Sequence, residues 1–299
     1  MKAFVTGASG FVGTHLTAHL AASGDDVIAP DESLDVVDGN AVDAAIARAR
    51  PDAVYHLAAL SHVGESWAEP GRVLRVNVEG AANVLDAARR HGVERVLVVG
   101  SAEEYGRVEP GDVPIAEDAP LRPVTPYAAS KVAADYLALQ SHLGWGVGTI
   151  RVRAFSHTGP GQSPRFLVPA LARRIAEAER DGNGEIIVGA LDPIRDISDV
   201  RDVVRAYRLL VEHGEAGEVY NVCRGEGVAV ADIAHALLAR ARRPLELRSD
   251  PTLFRPTEVP CLVGDASRLR AATSWTPEYS LDETLEAVLD DARDRVHNS

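Results

Sequence analysis

Seven residues near the N-terminus, Gly7-Ala8-Ser9-Gly10-Phe11-Val12-Gly13, constrain this chain more than any other stretch. They follow a short apolar run, Lys2–Thr6, and open a helical one, Val12–Ala22. A strand that turns through glycines directly into a helix is the opening of a βαβ unit. Gly7 permits the tight turn, Gly10 lets backbone amides approach a ligand, and Gly13 lets helix and strand pack closely. The helix start offers unpaired N–H groups and the positive end of its dipole, which suits a pyrophosphate. A dinucleotide is the expected ligand, with Gly7, Ser9, Gly10, Phe11, Val12 and Gly13 around it.

The alternation continues. Strand candidates at Asp26–Ala29, Ala53–Leu57, Val93–Val99 and Gly148–Val152 interleave with helical stretches at Ala41–Ala49, Val73–His91 and Pro126–Leu143. This predicts an α/β fold, a doubly wound parallel sheet of the Rossmann type with its ligand outside the carboxyl ends of the strands. Beyond Phe155 the rhythm loosens. Helices are expected at Val168–Glu179, Val200–Glu212, Ala229–Ala241 and Leu281–Val296, and strands at Glu185–Val188 and Glu218–Val222. The expectation is a smaller, discontinuous C-terminal substrate domain. Residues 1–155, rejoined by about 196–222, form the dinucleotide domain; 156–195 and 223–299 form the other.

Composition narrows the partners. A formal charge of −13 lacks the basic face that nucleic acid requires, yet a few arginines can still hold a small anion. No apolar run approaches the ~18 residues of a membrane span. The first apolar run breaks into the glycine loop, unlike a signal peptide. Cys223 and Cys261 lie far apart, and the ten histidines show no paired-ligand spacing, so neither disulfide nor metal site is expected. A soluble, cytoplasmic protein follows, with no membrane or nucleic-acid partner. Trp67, Trp145 and Trp275 read as packing residues.

Pro126-Tyr127-Ala128-Ala129-Ser130-Lys131 sets Tyr127 and Lys131 four residues apart at a helix start, on one face. An ammonium beside a phenol stabilises the phenolate and lets tyrosine exchange a proton near neutral pH. Val96–Val99 leads into Gly100-Ser101-Ala102-Glu103-Glu104-Tyr105-Gly106, which sets Ser101 at a strand's carboxyl end, where its hydroxyl can share a substrate oxygen with Tyr127. After the second strand, Asp31 can accept hydrogen bonds from an adenosine ribose and repel an added phosphate, favouring NAD over NADP; a solvated acidic turn is the alternative.

The loop Gly7–Gly13, the Tyr127/Lys131 pair, Ser101 ahead of Tyr105-Gly106, and His56-Leu57-Ala58-Ala59 together resemble the extended short-chain dehydrogenase/reductases over essentially the whole chain. The match is nearest to the branch of GDP-mannose 4,6-dehydratases and GDP-4-keto-6-deoxymannose reductases, and Gly100–Gly106, Arg153–Gln162 and Arg195–Asp202 resemble its reductases. The resemblance implies Ser101, Tyr127 and Lys131 as the catalytic set, with Lys131 also holding the nicotinamide ribose. It implies Asp35 and Val36 near the adenine, Leu57, Ala58 and Ala59 along the cofactor, Phe155 beside the nicotinamide, and Asn77 supporting the active-site helix.

Two departures bear on the chemistry. The family has proline and asparagine around Phe155, where this chain has Ala154 and Ser156. Dehydratases of the family place a polar or acidic residue beside the base that follows the Ser/Thr; here Ala102 stands beside Glu103. Elimination of water needs both an acid and a base, whereas reduction of a ketone needs a hydride and one proton, which NAD(P)H and Tyr127 supply. The implied activity is reduction of a nucleotide-linked 4-keto-6-deoxy sugar, with Glu103 as a substrate ligand. A 4-epimerase or 4,6-dehydratase, and a non-catalytic NAD(P)-sensing protein, are the alternatives. Arg165, Arg195 and Arg255 are candidates for the diphosphate, with Ser156, His157 and Glu258 as further substrate contacts. Alanine-rich faces on Val73–His91 and Pro126–Leu143 match helices that pair in this family into a four-helix homodimer interface.

Overall fold

The structure, a computed structural model, describes residues 1–30, 34–253 and 259–298. In chain order the first half contains β1 (Lys2–Thr6), α1 (Phe11–Ala22), β2 (Asp26–Ile28), α2 (Gly39–Ala49), β3 (Ala53–His56), α3 (Val63–Ser66), α4 (Pro70–Leu74), α5 (Gly80–His91), β4 (Arg95–Val99), α6 (Pro126–Trp145) and β5 (Thr149–Ala154). Then come β6 (Ser156–Thr158), α7 (Leu167–Asp181), β7 (Glu185–Val188), β8 (Ile194–Asp199), α8 (Val200–His213) and β9 (Val219–Val222). The last stretch holds β10 (Gly227–Ala229), α9 (Val230–Ala239), β11 (Glu246–Ser249), β12 (Cys261–Leu262), α10 (Ser267–Thr273) and α11 (Leu281–His297).

Six strands form one parallel sheet in the order β2-β1-β3-β4-β5-β9. The winding reverses between β1 and β3, and that switch point opens a crevice at the strands' carboxyl ends. Alternation along each strand feeds two cores. Ala3, Val5, Tyr55, Leu97 and Val152 pack with Leu16 and Leu20 of α1 and Val203, Val204 and Leu210 of α8. Phe4, Val54, Val96 and Val98 pack with Val42 and Ile46 of α2 and Val84 and Leu85 of α5. From the second half of the chain, α8 and β9 thus pack with these layers. A separate core gathers α7, α9 and α11 over Ile186, Val188 and Ile197.

Helix starts follow local chemistry. Asp38 accepts from the N–H groups of Asn40 and Ala41, both at 3.0 Å, and starts α2. Thr125 Oγ1 accepts from Ala128 N at 3.0 Å, and Pro126 takes the first helical position of α6, where its missing N–H costs nothing.

Three expectations need correction. Val73–His91 is not one α-helix: a π-helical turn, Arg75–Glu79, separates α4 from α5. The wider turn carries Asn77, whose amide donates to Leu60 O at 3.1 Å and Ser130 Oγ at 2.9 Å while its oxygen accepts from Leu60 N at 2.8 Å. Residues 194–199, unassigned by pattern, form β8, a strand of mixed polarity flanked by β6, β10 and β12. Its Asp196 is buried and accepts from Arg224 N, Gly225 N and Gly264 N, so hydrogen bonds rather than apolar alternation hold it. Trp275 is buried, but Trp67 and Trp145 are 54% and 53% exposed and pack into no core.

Candidate active site

The turn from β1 into α1 walls a cleft of about 1020 Å³. Gly7 adopts φ +70°, and a β-carbon there would stand 2.8 Å from Ala58 N, so the turn presses against the end of β3. A β-carbon on Gly13 would overlap the Gly7 carbonyl and lie 2.7 Å from Ala8 Cα. The first turn of α1 has neither a side-chain cap nor an acidic residue, leaving its N–H groups for an anion. At the end of β3, Thr6 Oγ1 accepts from Ala58 N at 3.3 Å and meets His56 Nδ1 at 2.9 Å, which sets the course of Leu57–Ala59 along the cleft. This cradle of small residues and bare amides fits a dinucleotide pyrophosphate.

Ser101 sits where β4 ends, and Tyr127 and Lys131 enter from α6; all three are at least nine-tenths buried. Ser101 and Tyr127 come together in the cleft, and Ser101 holds the phenol down against burial. Ser101 Oγ also accepts from Glu103 N at 3.2 Å, and Lys131 Nζ donates to Val99 O at 2.8 Å. The four-residue spacing predicts that Lys131 lowers the Tyr127 phenol; in the structure the phenol is raised. Burial is the main cause, the Ser101 hydrogen bond opposes it, and the charges of Glu103 and Glu104 add to it. Burial also pushes the Lys131 amine down to about 8, against the charge of Glu104. A low-dielectric pocket penalises phenolate and ammonium alike. The site thus presents a neutral phenol with a proton to give.

The structure brings most sequence candidates together. Gly7, Ser9, Gly10, Phe11, Val12, Gly13, Leu57, Ala58, Ala59, Ser101, Glu103, Tyr127, Lys131, Phe155, Ser156, His157, Arg165 and Arg195 all line the cleft. Asp35 and Val36 do not: Val36 turns into the core against Gly80, and the Asp35 carboxylate accepts from Val37 N at 2.9 Å. Asp31, Arg255 and Glu258 lie outside the described residues. His157 Nδ1 donates to Phe155 O at 2.9 Å, which leaves Nε2 as an acceptor. Arg165 reaches across the mouth to pair with Glu65 of α3, and Phe166 meets His62 edge-on at 6.1 Å.

Gln162, which closes the Arg153–Gln162 stretch, also lines the cleft, as do Arg174 and Tyr207, which no motif marks. Arg174 lies on α7 one position beyond Arg173, whose guanidinium pairs with Glu177; only the turn of the helix separates their surroundings. Tyr207 stands in an otherwise apolar helix face, and that lone hydroxyl was the available signal. Among the described residues no group of three or more His, Cys, Asp or Glu could hold a metal, and no helix is long and apolar enough to cross a membrane.

A parallel sheet with a glycine cradle at its switch point and a Ser/Tyr/Lys cluster at the next strand end defines a dinucleotide-dependent class. Residues 3–223 match the NAD dependent epimerase/dehydratase family, and the chain belongs to it. A GDP-6-deoxy-D-mannose reductase of Pseudomonas aeruginosa is 37% identical over 99% of this chain and 98% of its own length. A dTDP-glucose 4,6-dehydratase of Streptomyces griseus is 34% identical over 79% of this chain and 77% of its own. The structure of a Pseudomonas aeruginosa protein complexed with NADPH superposes with a TM-score of 0.91 at 37% identity, covering 98% of this chain and 99% of that one. A UDP-glucose 4-epimerase from Thermus thermophilus in complex with NAD gives 0.88 at 28% identity over 98% and 99% of the two chains.

Proposed function

We propose that the protein is an NAD(P)H-dependent reductase of a nucleoside-diphosphate-linked 4-keto-6-deoxy sugar, with the GDP-linked 4-keto-6-deoxymannose as its substrate. The observation that carries this reading is the meeting of Ser101, Tyr127 and Lys131, each at least nine-tenths buried, in the cleft that the glycine turn walls. The bound dinucleotide supplies the hydride. Tyr127 gives its proton to the ketone oxygen, and Ser101 donates a hydrogen bond to the same oxygen, so one acid suffices. Lys131, which lines the same cleft, would hold the nicotinamide ribose. Ala102 packs against Tyr105 and Phe155 and offers no second acid beside Glu103. That is why reduction is preferred to dehydration; Glu103, which lines the cleft, binds a sugar hydroxyl. The reductase from Pseudomonas aeruginosa supports the same choice. The preference for NAD rests on Asp31 alone, while the similar Pseudomonas aeruginosa structure carries NADPH.

In this reading residues 1–155 and about 196–222 hold the dinucleotide, and 156–195 with 223–299 hold the sugar nucleotide. Arg165 and Arg195 clamp the diphosphate, and Ser156 and His157 contact the sugar. The protein works in the cytoplasm, in keeping with two unpaired cysteines. It forms a homodimer through α4, α5 and α6. Leu74, Tyr136 and Leu143 on α4 and α6 are 45%, 55% and 75% exposed, and Trp145 at the end of α6 is 53% exposed, which gives these helices apolar surface for a partner to cover.

The test incubates the protein with GDP-4-keto-6-deoxymannose and NADPH or NADH, and reads cofactor oxidation and the configuration at C4. Oxidation with a single C4 product is expected. No oxidation with GDP-, dTDP- or UDP-linked keto sugars overturns the proposal.

A further inference from the structure

Two segments far apart in sequence close on each other at the mouth of the cleft. Ser61, His62 and Val63, which lead from β3 into α3, line one lip, and Pro164, Arg165 and Phe166, ahead of α7, line the other. The Arg165 guanidinium donates across the gap to the carboxylate of Glu65, and the Phe166 ring meets the His62 ring edge-on at 6.1 Å. The backbone on each side is tied down locally. His62 Nδ1 accepts from Glu65 N at 3.1 Å, and Phe166 N donates to Ser163 O at 3.2 Å. The flexible stem of Arg165 is the part that can swing. Glu65 is exposed and does not itself line the cleft, so the ion pair turns the charged end of Arg165 toward the rim. Arg174, which also lines the cleft, donates instead to a neutral partner, Ile187 O, at 2.6 Å.

We propose that Glu65 is a positioning residue of the sugar-nucleotide site: its carboxylate occupies Arg165 at the rim and yields it to an incoming diphosphate, a role that rests on Arg165 taking the diphosphate as proposed above. A carboxylate and a phosphate both present paired oxygens to the guanidinium fork, so one can stand in for the other. Both partners are exposed, 56% for Arg165 and 59% for Glu65, and an ion pair in such a place is weak. That suits a contact broken each time a substrate binds. A diphosphate carries more charge and more acceptor oxygens than a carboxylate, so it wins the exchange. Only one side chain has to move, and the His62–Phe166 contact keeps the lip in place meanwhile. Glu65 therefore acts on affinity in the opposite sense to Arg165: the arginine adds to it and the glutamate subtracts from it.

The test is calorimetric titration with GDP, dTDP and UDP at low ionic strength, the nucleotide that the parent binds most tightly being carried through the variants. Glu65→Gln conserves shape at an exposed side chain and tightens binding by about two- to fivefold, where a merely structural role would weaken it. In the Arg165→Met background Glu65 has no guanidinium to hold, and Glu65→Gln leaves the affinity where Arg165→Met sets it. Unchanged or weaker binding in Glu65→Gln overturns the proposal. Equal tightening in both backgrounds also overturns it, because repulsion between Glu65 and the diphosphate then accounts for the effect. If Arg165→Met binds the nucleotide as the parent does, or the parent binds none of the three, the placement of Arg165 fails and the exchange fails with it. A loss in Arg165→Met without a gain in Glu65→Gln refutes the exchange alone. The titration needs neither keto sugar nor cofactor, so its outcome is independent of the reductase assay.

Discussion

Replacing Tyr127 by phenylalanine removes one oxygen from the site and little else. The lost hydroxyl leaves Ser101 Oγ still accepting from Glu103 N at 3.2 Å, so no new buried orphan is created. The cost to the fold is one neutral hydrogen bond, ~1 kcal/mol. For a chain of 299 residues that lowers the melting temperature by no more than ~2–4 °C. The cost to chemistry is far larger. A positioned general acid contributes ~10²–10⁴ in rate, equivalent to ~3–5 kcal/mol of barrier. The expected result is therefore a loss of 100-fold or more in kcat, on the scale of ~10²–10⁴, with an intact melting transition and unaltered dinucleotide binding. Stopped-flow absorbance of the nicotinamide reads turnover, and calorimetric titration reads cofactor affinity. Parent-like turnover refutes Tyr127 as the proton donor.

Gly13→Ala drives a β-carbon into the Gly7 carbonyl and costs ~1–3 kcal/mol, read as weaker dinucleotide titration; undiminished affinity would take the glycine loop out of the site. Arg165→Met removes a charged contact worth ~1.5–3 kcal/mol and raises KM for the sugar nucleotide while the cofactor constant holds; a raised cofactor constant instead would misplace the arginine. His56 is held far below its usual range by burial, so the unfolded chain takes up a proton that the folded one refuses. Its stabilising contribution is complete above about pH 6.5 and is lost as pH falls from there toward about 3, with a slope of up to ~1.4 kcal/mol per pH unit. His56→Gln flattens the melting-temperature profile across that window, and an unchanged profile counts against the assignment. If the proposed homodimer forms through α6, Leu143→Asp, at a side chain 75% exposed, alters monomer stability within ~0.5 kcal/mol and halves the mass seen by light scattering; a mass equal to the parent's refutes that interface.

Much of the candidate site was legible before any coordinates. Gly7–Gly13 announces its turn because only glycine accepts the left-handed φ of Gly7 and the contact of Gly13 with the Gly7 carbonyl. Tyr127 and Lys131 share a face through helix geometry alone, and Thr125-Pro126 marks the start of that helix. Arg165 was readable as a cleft residue, but its pairing with Glu65, a hundred residues distant in sequence, was not.

What the sequence by itself determined is whatever depends on local periodicity and on glycine and proline stereochemistry: the alternation of β1 to β5 with their helices, the glycine turn from β1 into α1, and the placing of Tyr127 and Lys131 one turn apart on α6. The tertiary structure alone decided three things. It built β8 out of a polar stretch, because Asp196 finds its donors in distant loops. It widened the helix at Arg75–Glu79 so that Asn77 reaches Ser130. And it reversed the expected effect on Tyr127, because a phenol's proton affinity depends on how much protein surrounds it, and that burial is supplied by elements scattered along the whole chain.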